Sequence, residues 1–124
     1  MDNDFSMFPL VALEEGLARV ANKKSLYARL LNVFSADPKD KPLLEAFENR
    51  DLDAAYAAAH TIKGMAANLS LARLVKYTEM LESLFKQGKD AGDISVFDRV
   101  KSEDFTRIVQ DTVDEIAVIL PTLT

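Results

Sequence analysis

Apolar residues recur three and four positions apart along almost the whole chain, and no segment alternates between apolar and polar residues for long. This spacing places apolar side chains on one face of a helix, so it predicts an all-α protein. A short amphipathic helix is predicted over 10–20 and a second over 23–35. The inner stripe of the second comprises Leu26, Leu30, Val33 and Phe34. Asp37-Pro38 then predicts the start of a third helix, with aspartate as the cap and proline at the first helical position, although Pro42 leaves the true start open.

Two long helices are predicted next, joined by a short turn. Asp51 is the predicted cap of a helix over 52–69, whose inner face comprises Leu52, Ala55, Ala59, Ile62, Ala66 and Leu69. Ser70 is predicted to cap the following helix, over 71–87, and Gly88 to end it. The inner stripe of that helix is predicted to contain Leu74, Tyr77 or Thr78, Leu81, and Leu84 or Phe85.

A last helix is predicted to end at Pro121, with a seam formed by Phe105, Val109, Thr112, Ile116 and Ile119. The pattern leaves open whether 94–100 belongs to this helix or to a separate turn, and Ser102 is a candidate internal cap. Because the connections are short, we expect an up-and-down antiparallel four-helix bundle with additional short N-terminal helices. A single domain is expected over 1–124, in which 1–8 form a flexible N-terminal arm.

Composition excludes several classes of protein. The net charge of −5 is unlike that of a nucleic-acid binder, which normally shows a basic stripe. The chain has no cysteine and one histidine, which rules out disulfides and thiolate chemistry and argues against a zinc site. No apolar stretch reaches the roughly 18 to 20 residues that a membrane helix needs. The acidic N-terminus is unlike a signal peptide, so we expect a cytoplasmic location.

The single histidine, His60, falls in the middle of a predicted helix, beside the centre of its apolar face. Residues three and four apart are neighbours on a helix surface, so Lys63 and Gly64 lie next to it. A neutral imidazole near small residues is an accessible nucleophile, and a nearby ammonium can attract phosphoryl oxygens. A lone histidine on a helix is, however, usually an ordinary surface residue. The spacing therefore permits a phosphotransfer site without establishing one.

The segment that begins at His60 reads HTIKGMAANL. It resembles the motif of histidine-containing phosphotransfer (HPt) domains, in which histidine is followed by an apolar residue, lysine, glycine, small residues and an apolar residue. The three alanines that precede the histidine and the upstream segment 15–20 are also typical of this family. The resemblance extends over about 10–88, and the last predicted helix supplies the fourth member of the bundle.

The resemblance implies a four-helix bundle with an exposed phosphoacceptor histidine, here His60. Such domains exchange phosphoryl groups with the aspartate of receiver domains, found in response regulators and hybrid histidine kinases, in multistep two-component relays. Lys63 and Gly64 match the family positions that help the phosphoryl group and permit approach. From helix geometry, the residues expected to surround the docking surface are Tyr56, Ala57, Ala67 and Asn68.

One position departs from the family pattern, because Ser70 stands where a second glycine is usual. Serine is small and can cap the next helix, so we expect the turn to survive. The four glycines are scattered and form no nucleotide-binding loop, so no ATP-dependent kinase activity is expected. No cofactor is expected in this chain, and Mg²⁺ is expected only in the receiver partner. We further expect a monomer.

Three other interpretations remain open. The bundle could be a non-catalytic adaptor that binds receiver or kinase domains without phosphotransfer. It could be a part of a larger hybrid kinase, although Met1 and the end at Thr124 suit a free-standing protein. It could also be the dimerising hairpin of a histidine kinase. That interpretation ranks lowest, because in those hairpins the histidine is usually followed by an acidic residue, and Thr61 is not acidic.

Overall fold

The computed structural model describes residues 4–123, and all the regular secondary structure within that range is helical. The six α-helices of this part of the chain are α1 (Leu13–Arg19), α2 (Lys24–Ala36), α3 (Lys41–Asn49), α4 (Leu52–Asn68), α5 (Ala72–Ala91) and α6 (Ser102–Ile119). Two 3₁₀ helices, Ile94–Arg99 and Leu120–Leu123, follow α5 and α6 respectively. The prediction of an all-α helical bundle is confirmed.

Helices α4 and α5 form an antiparallel pair, which is the most extensive helix contact of the described chain. Asp53 at the start of α4 forms an ion pair with Lys89 near the end of α5. Lys63, further along α4, forms an ion pair with Glu82, which lies earlier in α5. The second contact lies later in α4 but earlier in α5 than the first. The two helices therefore run in opposite directions. The up-and-down order of the remaining helices stays a prediction.

The turn between α4 and α5 differs from the predicted cap. Ser70 adopts a left-handed conformation, with φ of 56°, and the backbone N–H of Leu71 donates to the carbonyl of Ala66 at 2.9 Å. Helix α5 begins at Ala72, and no side chain caps it. The Ser70 hydroxyl is buried and finds no hydrogen-bond partner among residues 4–123. The prediction that Ser70 caps α5 is therefore wrong, because the residue serves the end of α4 instead.

The prediction that α3 starts at Asp37-Pro38 is also wrong. Asp37 lies just after α2, and its carboxylate accepts a hydrogen bond from the backbone N–H of Lys39 at 3.1 Å. This local turn ends one helix rather than starting the next. Helix α3 begins at Lys41, with Pro42 in its first turn, where a missing N–H costs nothing.

Helix α5 continues past the predicted stop. Gly88 is buried within it, and a Cβ at this position would lie 2.7 Å from Val96 and 3.0 Å from Leu52. Position 88 requires glycine because the side chains of Val96 and Leu52 pack directly against the helix backbone. The helix ends at Ala91, and Gly92 adopts the left-handed conformation that closes many helices. The prediction that Gly88 ends α5 is wrong.

The segment between α5 and α6 is a separate element and not the first part of α6. Residues Ile94–Arg99 form a separate 3₁₀ helix, which Asp93 caps by accepting from the backbone N–H of Ser95 at 3.0 Å. Helix α6 begins at Ser102, whose hydroxyl donates to Glu103 at 3.2 Å rather than capping a backbone group. The suggestion of Ser102 as an internal cap is therefore wrong.

The buried faces follow the predicted stripes in the three long helices. Helix α6 buries the predicted seam of Phe105, Val109, Thr112, Ile116 and Ile119. Helix α4 buries Ala55, Ala59, Ile62 and Ala66, and its neighbour Leu69 is buried as well, whereas the predicted Leu52 is only partly buried. Helix α5 buries both members of each alternative pair. Helix α2 buries only part of its predicted stripe: Phe34 is buried, whereas Val33 is 64% exposed. Tyr27 and Leu31, which lie beside that stripe, are fully buried.

The predicted N-terminal arm is described from Asp4 onward, and residues 1–3 lie outside the described residues. Its aromatic residues contact α5: the Phe5 ring meets the Tyr77 ring edge-on at 5.4 Å between centroids. Arg73 donates to the carbonyls of Ser6 and Phe8 at 3.2 and 2.9 Å. None of the helices between residues 4 and 123 is long and apolar enough to cross a membrane.

Candidate functional site

His60 lies on the exposed side of α4, next to the face that packs into the core. Its neighbours Ala59 and Ile62 are fully buried, and this burial fixes the rotation of the helix. With that rotation, the His60 side chain is 67% exposed. The imidazole therefore stands at the surface of the bundle, on a rigid element rather than on a loop.

Glu82, on the neighbouring helix α5, contacts the histidine. Its Oε1 forms a short hydrogen bond with Nδ1 of His60, and its Oε2 lies 2.5 Å from Nζ of Lys63. The Glu82 side chain is only 10% exposed, so the carboxylate contacts both partners from the buried side. Sequence reasoning predicted Lys63 beside His60 but missed Glu82 altogether.

The sequence did contain a signal for Glu82. The residue lies on the buried stripe of α5, four positions after Thr78 and three before Phe85. A carboxylate on such a stripe is expensive to bury unless it is paired. Its presence there indicates that cations or hydrogen-bond donors must face it from a neighbouring helix. The antiparallel register of α4 and α5, which the sequence did not specify in detail, supplies these partners.

The three side chains influence each other electrostatically. Burial by itself raises the pKa of the Glu82 carboxyl, but the hydrogen bonds from Lys63 and His60 outweigh it and hold the pKa below its ordinary value. The hydrogen bond to Glu82 raises the pKa of the Lys63 ammonium, against the smaller effect of burial. Glu82 and Lys63 are therefore an ionised pair at neutral pH.

The hydrogen bond to Glu82 decides which imidazole nitrogen carries the proton. An ionised carboxylate can only accept hydrogen bonds, so Nδ1 of His60 must be the donor. In the neutral ring, Nε2 then holds the lone pair. The site thus contains one exposed histidine whose tautomer is set by a buried carboxylate, and this tautomer leaves the free lone pair of the neutral ring on Nε2.

An aromatic ring lies on the other neighbouring turn of α4. Tyr56, one turn before His60, is half-buried, and its ring is inclined by only 13° to the imidazole, with 6.4 Å between centroids. Nζ of Lys89 lies 4.7 Å from the centre of the Tyr56 ring and 3.1 Å from Oδ1 of Asp53. These contacts connect the imidazole to a second ion pair between the same two helices.

The remaining predicted site residues leave the surface around His60 low. A Cβ built on Gly64 would meet no atom of the described chain within 4 Å, so this position is open to an approaching partner. Ala57 and Asn68 are exposed, and Ala67 is partly exposed. Within residues 4–123, no three histidine or carboxylate side chains are grouped so that they could hold a metal ion.

Comparison with known proteins identifies the family. A family model described as the Hpt domain matches residues 30–117, which is more than half of the chain. The chain therefore belongs to the Hpt domain family. Comparison with the curated proteins and with the solved structures gave no significant match. Hpt domains work with receiver domains in phosphorelays, so this protein takes part in phosphorelay signalling of the two-component type.

Proposed function

We propose that the protein is a phosphotransfer intermediate that accepts a phosphoryl group on His60 from a receiver-domain aspartate and passes it to another receiver. The observation that carries this proposal is the exposed imidazole with Nδ1 bound to the buried carboxylate of Glu82. His60 is also the only histidine in a chain whose family works through phosphohistidine.

The proposed reaction is an in-line displacement at phosphorus. The lone pair of Nε2 attacks the phosphorus of an aspartyl phosphate, an N–P bond forms, and the P–O bond to the aspartate breaks. The aspartate leaves as a carboxylate, and the proton stays on Nδ1. In the next transfer, the same bond changes run in reverse with the aspartate of the second receiver.

Glu82 supports this reaction through its charge. When Nε2 bonds to phosphorus while Nδ1 keeps its proton, the imidazole gains positive charge. A carboxylate at Nδ1 stabilises that charge and holds the tautomer, as the buried carboxylate does in catalytic triads. Because Glu82 is anchored by Lys63, it is in place before the partner arrives.

Lys63 is proposed to assist the phosphoryl group directly. Its side chain is 31% exposed and reaches Glu82 from the same face of α4 that carries His60. A flexible ammonium in this place can turn from the carboxylate to the phosphoryl oxygens once they arrive. Gly64, Ala57, Ala67 and Asn68, with Tyr56, are proposed to surround the docking surface. Mg²⁺ is proposed to come with the receiver, and the protein to act as a cytoplasmic monomer.

The test uses a panel of receiver domains that carry ³²P-labelled aspartyl phosphate. Wild-type protein should acquire acid-labile label from at least one receiver, whereas His60→Gln should acquire none. Glu82→Gln is the matched variant for the mechanism, because its amide oxygen still accepts from Nδ1 but carries no charge. A charge-assisted hydrogen bond is stronger than a neutral one by about 1 kcal/mol, so transfer to Glu82→Gln should be about five- to tenfold slower.

A protein that binds receivers but takes no label from any of them, or from a matching kinase with ATP, would be a non-catalytic adaptor. Label that persists in His60→Gln would also overturn the proposal, because the chain has no second histidine. Equal rates for wild type and Glu82→Gln would leave His60 as the acceptor but remove Glu82 from the mechanism.

A further inference from the structure

The hydrogen bond to Glu82 does not by itself orient the His60 ring. It holds one atom, Nδ1, and a planar ring held at one atom can still tilt about that contact. A second contact that acts on the plane of the ring would complete its orientation. The ring nearly parallel to the imidazole is that of Tyr56, and the centroid separation of 6.4 Å lies within the range of offset aromatic pairs.

Tyr56 is itself held in place from α5. The ammonium of Lys89 lies 4.7 Å from the centre of the Tyr56 ring, well inside the distance at which a cation is attracted to an aromatic face. Asp53 in turn holds Lys89 through a contact of 3.1 Å. The Lys89 side chain is about one-third exposed, at 35%, so its position is restrained from more than one side.

We infer that Tyr56 is a positioning residue for His60, and that Lys89 and Asp53 fix the Tyr56 ring for this purpose. Glu82 determines where Nδ1 lies, and Tyr56 determines the plane of the imidazole. Together they limit the directions in which Nε2 can meet an incoming phosphorus atom. The inference deepens the proposed phosphotransfer function and rests on it for its catalytic consequence.

A positioning role and a docking role for Tyr56 predict different effects when the residue is replaced. If Tyr56 only contacted the receiver, its loss would raise the receiver concentration needed for half-maximal transfer. If it orients the imidazole, its loss slows the maximal transfer rate and also loosens the His60 ring in the free protein. The second effect can be measured without any partner.

The test compares Tyr56→Leu, Tyr56→Phe and Lys89→Met in the full chain. Lys86→Met is the matched control for the lysine, because Lys86 forms an exposed ion pair with Asp90 on α5 at 3.3 Å and has no ring contact in the described structure. Ring order is read from ¹³C relaxation of the His60 imidazole in the free protein. Transfer is read as single-turnover rates over a range of phosphorylated receiver concentrations.

We expect Tyr56→Leu to lower the His60 ring order parameter and to reduce the maximal transfer rate about two- to tenfold, the range that a stacked aromatic pair implies. The half-saturating receiver concentration should change by less. Tyr56→Phe keeps a ring and should restore most of both quantities. Lys89→Met should show a smaller loss in the same direction, and Lys86→Met no loss of ring order.

An unchanged His60 ring order in Tyr56→Leu would overturn the inference, whatever happens to the transfer rate. A rise in the half-saturating concentration with the same maximal rate would overturn it too, and would leave Tyr56 with a docking role alone. If the ring loosens in Tyr56→Leu but no protein in the set, wild type included, takes up phosphate, the positioning contact stands and the proposed phosphotransfer function fails.

Discussion

Replacing Gly64 by alanine should make the protein more stable and also a slower phosphotransfer protein. The residue lies inside α4, one turn after His60, where glycine lacks the helix preference of alanine. A Cβ at this position would meet no atom of the described residues within 4 Å. The new methyl group therefore has no steric cost in the free protein, and it projects into the space that the proposed docking of a receiver requires.

The two effects can be estimated separately. Alanine is favoured over glycine in a helix interior by about 0.8 to 1 kcal/mol, and with no clash to subtract, most of this should appear in the free energy of unfolding. For a domain of this size, that is a rise in Tm of about 3 to 5 °C. A methyl group forced into a close-packed interface costs on the order of 1 kcal/mol or more, which corresponds to a loss of about fivefold in transfer.

The assay pairs thermal unfolding, followed by circular dichroism, with the rate of label uptake from a phosphorylated receiver. Ala54→Gly is a suitable control, because Ala54 is exposed in the first turn of α4 and should lose stability without slowing transfer. A Gly64→Ala protein that is less stable than wild type would refute the assignment of this position as open. A more stable variant with an undiminished transfer rate would refute its role in partner approach.

Three further predictions concern the stability of the α4–α5 pair and of the contacts that support it. Ser70→Gly should raise the free energy of unfolding by about 1 kcal/mol in urea titrations, because it relieves the left-handed backbone of a non-glycine residue and removes a buried hydroxyl without a partner. Tyr27→Phe should lower it by about 1 to 3 kcal/mol, because the Tyr27 hydroxyl donates to the Leu69 carbonyl at 2.6 Å in a buried place; an unchanged urea midpoint would show that this bond contributes nothing. The pKa of Glu82 lies below its ordinary value of 4.5, so ionised Glu82 contributes stability above about pH 4.5 that is lost as the pH falls through the lowered folded-state pKa. Unfolding titrations between pH 3 and 7 should show this decline in wild type and a smaller one in Glu82→Gln.

The helices that carry a clear apolar stripe could be predicted from the sequence. The turns between these helices could not. The seam of α6 follows from its spacing alone, because burial repeats regularly along it. At Asp37 and Ser70, a residue that can cap a helix serves the end of the preceding helix instead. A capping residue looks the same in both places, and only the packing of the adjacent helices decides which one it serves.

The candidate site shows the same division. The neighbours of His60 on its own helix, such as Lys63 and Gly64, follow from helical periodicity. Glu82 and Lys89 lie on a different helix, and their distance from His60 depends on the register of α4 against α5. That register is set by the turn at Ser70 and by side-chain packing, neither of which a periodic pattern contains.

Two residues that border His60 contradict the local preferences of the helices that carry them. Gly64 weakens α4 where alanine would fit without a clash, and Glu82 places a charge on the buried stripe of α5. Each of these residues lowers the stability of the fold. Such departures from local preference are expected at positions that serve function. Glu82 offsets part of its cost through Lys63 and His60, whereas no described residue offsets that of Gly64. The uncompensated cost of Gly64 fits the proposed role of its open position in the approach of a partner to His60.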